Sequence, residues 1–195
     1  MTRPHVLAVP RAALDGLPDP ALFEPDPEPW LAAAIGIGAA FVERDPAEQD
    51  PSLLQLIPVV VFRDRVGCVL AYRRAVSDGD ERLRDRWSLS MGGHIEPHDW
   101  PGDVDPARLA GRSLVGPVVR SAIWRCLARE VREEAGLDLE SLGVECLGMI
   151  RDDRPDGNPV PIGSVHWGLV YRAEVDRKRI AEAIAPALEH GRAVE

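Results

Sequence analysis

Arg129-Glu130-Val131-Arg132-Glu133-Glu134-Ala135-Gly136-Leu137 closes the most regular segment of this 195-residue chain. Ahead of it, Trp124, Leu127, Ala128, Val131 and Ala135 recur at steps of three and four, the spacing of one helix face, and Gly136 supplies a stop. A helix over Val118 to Ala135 is therefore expected, with its apolar stripe turned to a core. Glu130, Glu133 and Glu134 stand at i, i+3 and i+4 of that helix, so three carboxylates share one side of it and repel one another. Two accounts fit. Arg129 and Arg132 interleave with the acids, as on a solvated helix laced with salt bridges. Alternatively, a divalent cation sits among the carboxylates. Mg²⁺ takes oxygen ligands in near-octahedral geometry and is commonly shared between carboxylates, water and substrate phosphates. An ion so placed polarises phosphorus, neutralises a leaving group and lowers the pKa of an attacking water, which is the chemistry of phosphoanhydride hydrolysis.

Upstream, Gly92-Gly93-His94-Ile95-Glu96-Pro97 follows an extended run, Trp87 to Met91. Ile57 to Phe62 and Val66 to Tyr72, separated by Arg63-Asp64-Arg65, read as a hairpin-like pair of strands. Val6 to Val9, ended by Pro10, suits an edge strand. Pro18 to Pro29 reads as a surface connection, and Trp30 to Phe41 as a short helix despite Gly36 and Gly38. The stretch from Pro97 to Pro117 is so rich in proline and glycine that it is expected to be chiefly loop. Downstream, Val144 to Ile150 and Val165 to Val175 read as strands around the turn-rich Asp152 to Gly163. Asp176 to His190 has an amphipathic face interrupted at Pro186.

At this length one well-buried core is expected, with residues 1–55 as an N-terminal extension packed on a catalytic domain of residues 56–195. The composition is 45% hydrophobic and 28% charged, that of an ordinary soluble protein, and no apolar run approaches the roughly 20 residues a membrane span needs. Leu31 to Phe41 follows acidic rather than basic residues and does not read as a signal peptide, so the expected compartment is the cytoplasm. Cys68, Cys126 and Cys146 form an odd set without metal-ligand spacing, and all three are expected to be buried thiols. A net charge of -9 disfavours long nucleic acid as a partner, while local arginine clusters suit a small phosphate-bearing ligand.

Arg129 to Leu137 matches the second half of the Nudix signature, in which Arg-Glu, an aliphatic residue, any residue, Glu-Glu, any residue, Gly and an aliphatic residue follow in order. Gly92 to Pro97 resembles the glycine-led start of the same signature. The two halves stand further apart than is usual: Gly93 precedes Arg129 by 36 positions rather than 14, an insertion of 22 residues. Counting from Gly93 puts Asp99 at the first glutamate of the signature; counting back from Arg129 puts Ser121 there. The wider chain, roughly Val6 to Val175, is similar to a Nudix subgroup of phosphoesterases that carry an N-terminal extension. Arg44 to Ser52, Gln55 to Pro58, Leu89 to Ile95, Gly148 to Asp153 and Val165 to Gly168 carry that likeness.

The resemblance implies an α/β fold, a Nudix α/β/α sandwich with a mixed central sheet, and Mg²⁺ or Mn²⁺ as cofactor. The implied activity is hydrolysis of a pyrophosphate bond in a nucleoside diphosphate linked to another moiety; the alternative is a noncatalytic Nudix-fold module that binds a nucleotide. By the same resemblance Glu130, Glu133 and Glu134 are catalytic metal ligands, one of them doubling as base. The Gly93 carbonyl is a further candidate ligand, and Arg129 is expected to hold a loop carboxylate. Arg73, Arg74, His94, Glu96 and Asp99 are weaker candidates for contacting substrate or completing the metal site, against plain structural roles for each. His166 reads as a packed strand residue, and Asp152 and Asp153 as a turn pair or a distant carboxylate. Specificity is expected to reside in Ser77 to Arg86 and Pro97 to Pro117. Nudix proteins are often dimeric, so the extension packs either on its own domain or on a partner copy.

Overall fold

The longest strand, β4 (Leu53–Arg63), is the spine of the molecule. In a computed structural model that describes residues 4–15, 22–74, 85–102 and 117–182, β9 (His166–Glu174) runs parallel along one edge of β4, from Gln55 opposite His166 to Arg63 opposite Glu174. The other edge is shared. β1 (His5–Pro10) lies antiparallel against Leu53 to Gln55, and β7 (Met91–Gly92) lies antiparallel against Val59 and Val60. Pro58, with no N–H to donate, falls between these two docking points. β3 (Ala40–Glu43) pairs with β1, β8 (Val144–Ile150) with β9, and β2 (Phe23–Glu24) with β8, all antiparallel. The result is a seven-stranded mixed sheet in the order β2-β8-β9-β4-β1-β3, with β7 also on β4. Tyr72–Arg73 (β5) and Trp87–Ser88 (β6) form a separate two-stranded ribbon. With its helices this is the α/β, mixed-sheet architecture expected.

Period-two alternation along β4 sets up the two sides of the sheet. Leu54, Leu56, Val60 and Phe62 are fully buried toward the long helix α3 (Pro117–Ala135), whereas Ile57 and Val59 are only half-buried and line a cleft. On α3, Val119, Ile123, Leu127, Val131 and Ala135 form one buried row at four-residue steps, flanked by Ala122 and Cys126. Each large apolar side chain so buried contributes roughly 1.5–3 kcal/mol. The helix stops where Gly136 takes φ 63° and its N–H donates to the Arg132 carbonyl at 3.0 Å. A shorter helix, α1 (Glu28–Ile37), adds Trp30, Leu31, Ala34 and Ile35 to the same core, and Arg120 on α3 clasps Glu28 at 2.8 and 2.6 Å. No helix among the described residues is long and apolar enough to cross a membrane.

Several local expectations are corrected. β1 is not an edge strand: it lies between β3 and β4, and Pro10 is tolerated because it is the strand's last residue. The helix expected to reach Phe41 ends at Ile37, because Gly38 adopts φ 121° and turns the chain, after which Phe41 is buried in β3. The turn after β4 forms, with Asp64 N–H donating to the Cys68 carbonyl and Leu70 N–H to that of Phe62. Its return strand, however, reduces to a bridge between Arg63 and Val69. The run Trp87 to Met91 divides into β6 and β7, which serve different sheets.

Of the cysteines only Cys126 is buried; Cys68 sits in the exposed turn. Cys146 is also exposed, on the half of β8 that β2, reaching only Met149 and Ile150, leaves uncovered. Val165 belongs to a single helical turn, α4 (Ile162–Val165), rather than to β9. Residues 177–182 are helical, as the amphipathic pattern suggests, while Pro186 lies outside the described residues. So do 75–84 and 103–116, the greater part of both expected specificity segments. Pro97–Asp99 forms a 3-10 turn.

Candidate active site

The rows of α3 decide which carboxylates reach the cleft. Ala122, Cys126, Glu130 and Glu134 follow one another at four-residue steps, so the two glutamates continue a row whose first members are buried in the core. Arg125, Arg129 and Glu133 form the next row outward. The consequence is visible in exposure: the Glu130 side chain is 16% exposed and that of Glu133 60%. Glu130 and Glu134 line a cleft of about 610 Å³, and Glu133 does not; its carboxylate instead takes a hydrogen bond from Arg129 Nη1 at 3.2 Å. The sequence-predicted trio is thus two cleft residues and one outward one.

Across from Glu130 runs the glycine loop. Gly92 is pressed on β4: a Cβ there would lie 2.1 Å from the Pro58 oxygen and 2.8 Å from Val59 Cα, and its φ is 152°. Gly93 serves the site instead, because a Cβ there would lie 2.4 Å from Glu130 Oε1. The Gly93 carbonyl, a candidate ligand, faces the helix at 3.6 Å from Cys126 Sγ, which donates at 3.2 Å to the His94 carbonyl. Burial pushes the Cys126 thiol far up, so it stays protonated and acts as a donor.

Arg129 holds a loop carboxylate, as expected, and the carboxylate is that of Asp99. Nε donates to Oδ1 and Nη2 to Oδ2, both at 2.9 Å, a bidentate pair with the Asp99 side chain only 2% exposed. Asp99 also accepts from the Glu96 N–H at 2.9 Å. Burial alone would lower the Arg129 guanidinium, but hydrogen bonding to Asp99 and the charges of Glu130 and Asp99 outweigh it and raise it. Glu96 lines the cleft; Asp99 lies behind the loop and Ser121 on the exposed side of α3.

The cleft mixes both signs of charge. Arg44, Arg74, Arg86 and Arg151 line it together with Glu96, Glu130 and Glu134. Of the paired candidates, Arg74 reaches the cleft while Arg73 turns outward and bonds Asp85 at 2.8 Å. Asp152 also borders the cleft, its carboxylate doubly bonded by Arg154 at 2.7 Å, while Asp153 pairs with Arg11 at 3.0 Å. Burial raises the Glu130 carboxylate above its ordinary value, Glu133 and Asp99 adding to the effect and Arg129 opposing it. Half-buried carboxylates facing the space that Gly93 leaves open suit a hard divalent cation with oxygen ligands.

One grouping was not anticipated. Glu48, at the end of the turn α2 (Arg44–Ala47), meets His94 of the glycine loop and His166 at the start of β9. Glu48 Oε1 is 3.3 Å from His94 Nε2 and 3.4 Å from His166 Nε2, and the rings meet edge to face at 5.4 Å. His166, expected to be merely packed, lines the cleft with His94. Burial lowers the His94 imidazole below its ordinary value; the Glu48 carboxylate opposes this, and Arg44 and His166 reinforce it. No sequence spacing announces this trio, because its members come from three separate elements.

Comparison with known proteins accords with this architecture. Protein YmaB of Bacillus subtilis (strain 168) is 31% identical over 137 residues, 69% of this chain; the aligned stretch is 56% of the relative's own length. The crystal structure of Tm1382, a candidate Nudix hydrolase, superposes with a TM-score of 0.61 at 22% identity, over 98% of this chain and 84% of that one. The model of the NUDIX domain matches residues 55–187, which take in all but the first two residues of β4, the glycine loop, α3, β8 and β9. On that match, the chain belongs to the NUDIX domain family.

Proposed function

We propose that the cleft is the active site of a divalent-metal-dependent hydrolase cleaving a phosphoanhydride, the pyrophosphate bond of a nucleoside diphosphate linked to another moiety. One juxtaposition carries this reading: Glu130 and Glu134 share a cleft with Arg44, Arg74, Arg86 and Arg151. Arginine forks match the nonbridging oxygens of a diphosphate. The carboxylates would repel those same oxygens unless a cation lay between them. Glu130 and Glu134, with Glu96 beside them, are the residues that would hold Mg²⁺ or Mn²⁺, which when bound supplies Lewis acidity and a more acidic water.

The remaining work falls to the chain. Gly93 keeps the space in front of Glu130 open, and the Arg129–Asp99 pair fixes the loop that carries it. One of the cleft carboxylates, Glu130 or Glu134, accepts the proton of the attacking water. The arginines neutralise charge that builds on the departing phosphate oxygen. Trp87 and Ile150, both substantially exposed and both at the cleft, offer apolar surface to a flat base or similar group.

Purified protein with Mg²⁺ or Mn²⁺, tested on a panel of nucleoside diphosphate derivatives in ¹⁸O-water, is expected to yield monophosphates carrying the label. Glu134→Gln and Glu130→Gln should each lower kcat by at least about 10²-fold, the scale of losing one transition-state-stabilising group. Glu133→Gln, removing an outward carboxylate, should cost less. Turnover untouched by Glu134→Gln would remove the cleft assignment, and no release from any diphosphate would remove the activity.

A further inference from the structure

We infer that Glu48, His94 and His166 form a second metal site, separate from the acidic helix, which takes a divalent transition ion of the zinc class with one coordination position open to the cleft. Among the described residues this is the one set of three metal-capable side chains whose ligand atoms all lie within 4.8 Å of one another. A tetrahedron with bonds of about 2.0–2.1 Å has edges of about 3.3–3.4 Å. Glu48 Oε1 stands 3.3 and 3.4 Å from the two Nε2 atoms. Those separations are long for N–H···O hydrogen bonds, and neither buried Nε2 makes one among the described residues.

The tautomer of His166 points the same way. Its Nδ1 lies 2.9 Å from the Ile162 carbonyl oxygen, which can only accept, so Nδ1 carries the hydrogen. In the neutral ring Nε2 is then a bare lone pair directed at a carboxylate oxygen, an arrangement of two acceptors that a cation would join. A metal-bound histidine whose other nitrogen donates to a backbone carbonyl is the usual outer-shell arrangement. Arg44 Nε is 3.8 Å from the same Glu48 oxygen, outside hydrogen-bonding range, and its side chain lines the cleft, where it suits an anionic fourth ligand.

Two imidazoles and one carboxylate favour zinc, cobalt or nickel, whereas the all-oxygen set on α3 suits magnesium or manganese. His94 and His166 line the cleft, so the open position faces the space in which the diphosphate is proposed to bind. There it would hold a phosphate or other anionic end of the substrate.

The full-length chain, stripped with chelator and returned to excess Mg²⁺, is to be titrated with Co²⁺ and followed by visible absorption, with bound Zn²⁺ counted by mass spectrometry after gel filtration. One tetrahedral Co²⁺ or one Zn²⁺ per chain is expected. His166→Gln, His94→Gln and Glu48→Gln should weaken binding by more than about 100-fold, beyond the range typical of outer-shell changes. The Glu130→Gln/Glu134→Gln double variant should bind as the wild type does. No uptake by wild type, uptake unchanged in the histidine variants, or uptake lost in the glutamate double variant would each overturn the site.

Because His166 begins a buried strand, the wild-type Tm with and without Zn²⁺, in excess Mg²⁺, is a variant-free second readout; a rise is expected and an unchanged Tm counts against the site. None of these measurements uses turnover, so a failure here is distinct from a failure of the hydrolase reading.

Discussion

Replacing Arg129 by Met tests the clasp on which the site's geometry depends. The substitution keeps a long apolar stem but removes both bonds to Asp99, whose side chain is 2% exposed. A buried carboxylate stripped of its partner costs about 3–5 kcal/mol, because it has lost its water without regaining a charge. Asp99 retains the Glu96 N–H at 2.9 Å and a more distant His98 Nε2 at 3.7 Å, beyond hydrogen-bonding range. In urea, with an m-value near the upper end for single domains, about 2–3 kcal/mol per molar, the midpoint should fall by about 1–2.5 M. Asp99→Asn should cost less, about 1–3 kcal/mol, since Arg129 keeps Glu130, Glu133 and the His94 carbonyl. The double variant should recover part of the Arg129→Met loss, giving a coupling energy of at least about 1–2 kcal/mol. A stability of Arg129→Met within about 0.5 kcal/mol of wild type, or strict additivity in the double variant, would refute the account.

Four further variants test other contacts. Gly92→Ala should destabilise by at least about 1–3 kcal/mol, since its backbone lies at φ 152° and the clash is with β4 backbone that cannot swing away. Gly93→Ala meets only a carboxylate that can rotate, so its melting curve should stay near wild type while Mg²⁺-dependent turnover falls; the reverse pattern for these two glycines would show their roles misassigned. Leu127→Ala, in the middle of the buried row of α3, should cost about 2–5 kcal/mol by chemical denaturation. The Arg120 hydrogen bond holds Glu28 below its ordinary 4.5, with burial opposing and the Arg120 charge reinforcing. A lowered folded-state value means stabilisation present above pH 4.5 and lost as pH falls through the lower folded value. Glu28→Gln should therefore cost no more than about 0.2–1 kcal/mol at pH 7, this being an exposed pair, and the difference should vanish in acid.

Local periodicity made α3, β8 and β9 legible to within a residue, because their apolar spacing and the stop at Gly136 are properties of short windows. The division of the three glutamates was also legible in principle: Ala122 and Cys126 precede Glu130 and Glu134 on one row, and Arg125 and Arg129 precede Glu133 on the next. Spacing alone puts all three on one side of the helix, whereas the polarity of the preceding row separates them. What the sequence withheld depends on distant partners. Gly38 ends α1 by a backbone angle, and Phe41 becomes strand because β1 is there to receive it. β1 is interior because β3 returns along it. Glu48 joins His94 and His166 only through the fold, since a four-residue turn, a loop and a strand end have no common period.

The shared edge of β4 has a consequence for anyone wishing to trim this protein. β1 and β7 dock side by side on that edge, one from the first ten residues and the other from the glycine loop. A fragment begun at Leu53 would lose Leu7 and Phe41 from the core and leave the N-terminal end of β4 with bare N–H and C=O groups where β1 had docked. Such a naked edge recruits other chains, so the truncated piece should be an aggregating one. The N-terminal segment is in this sense a built-in chaperone for the central sheet, inseparable from what it protects.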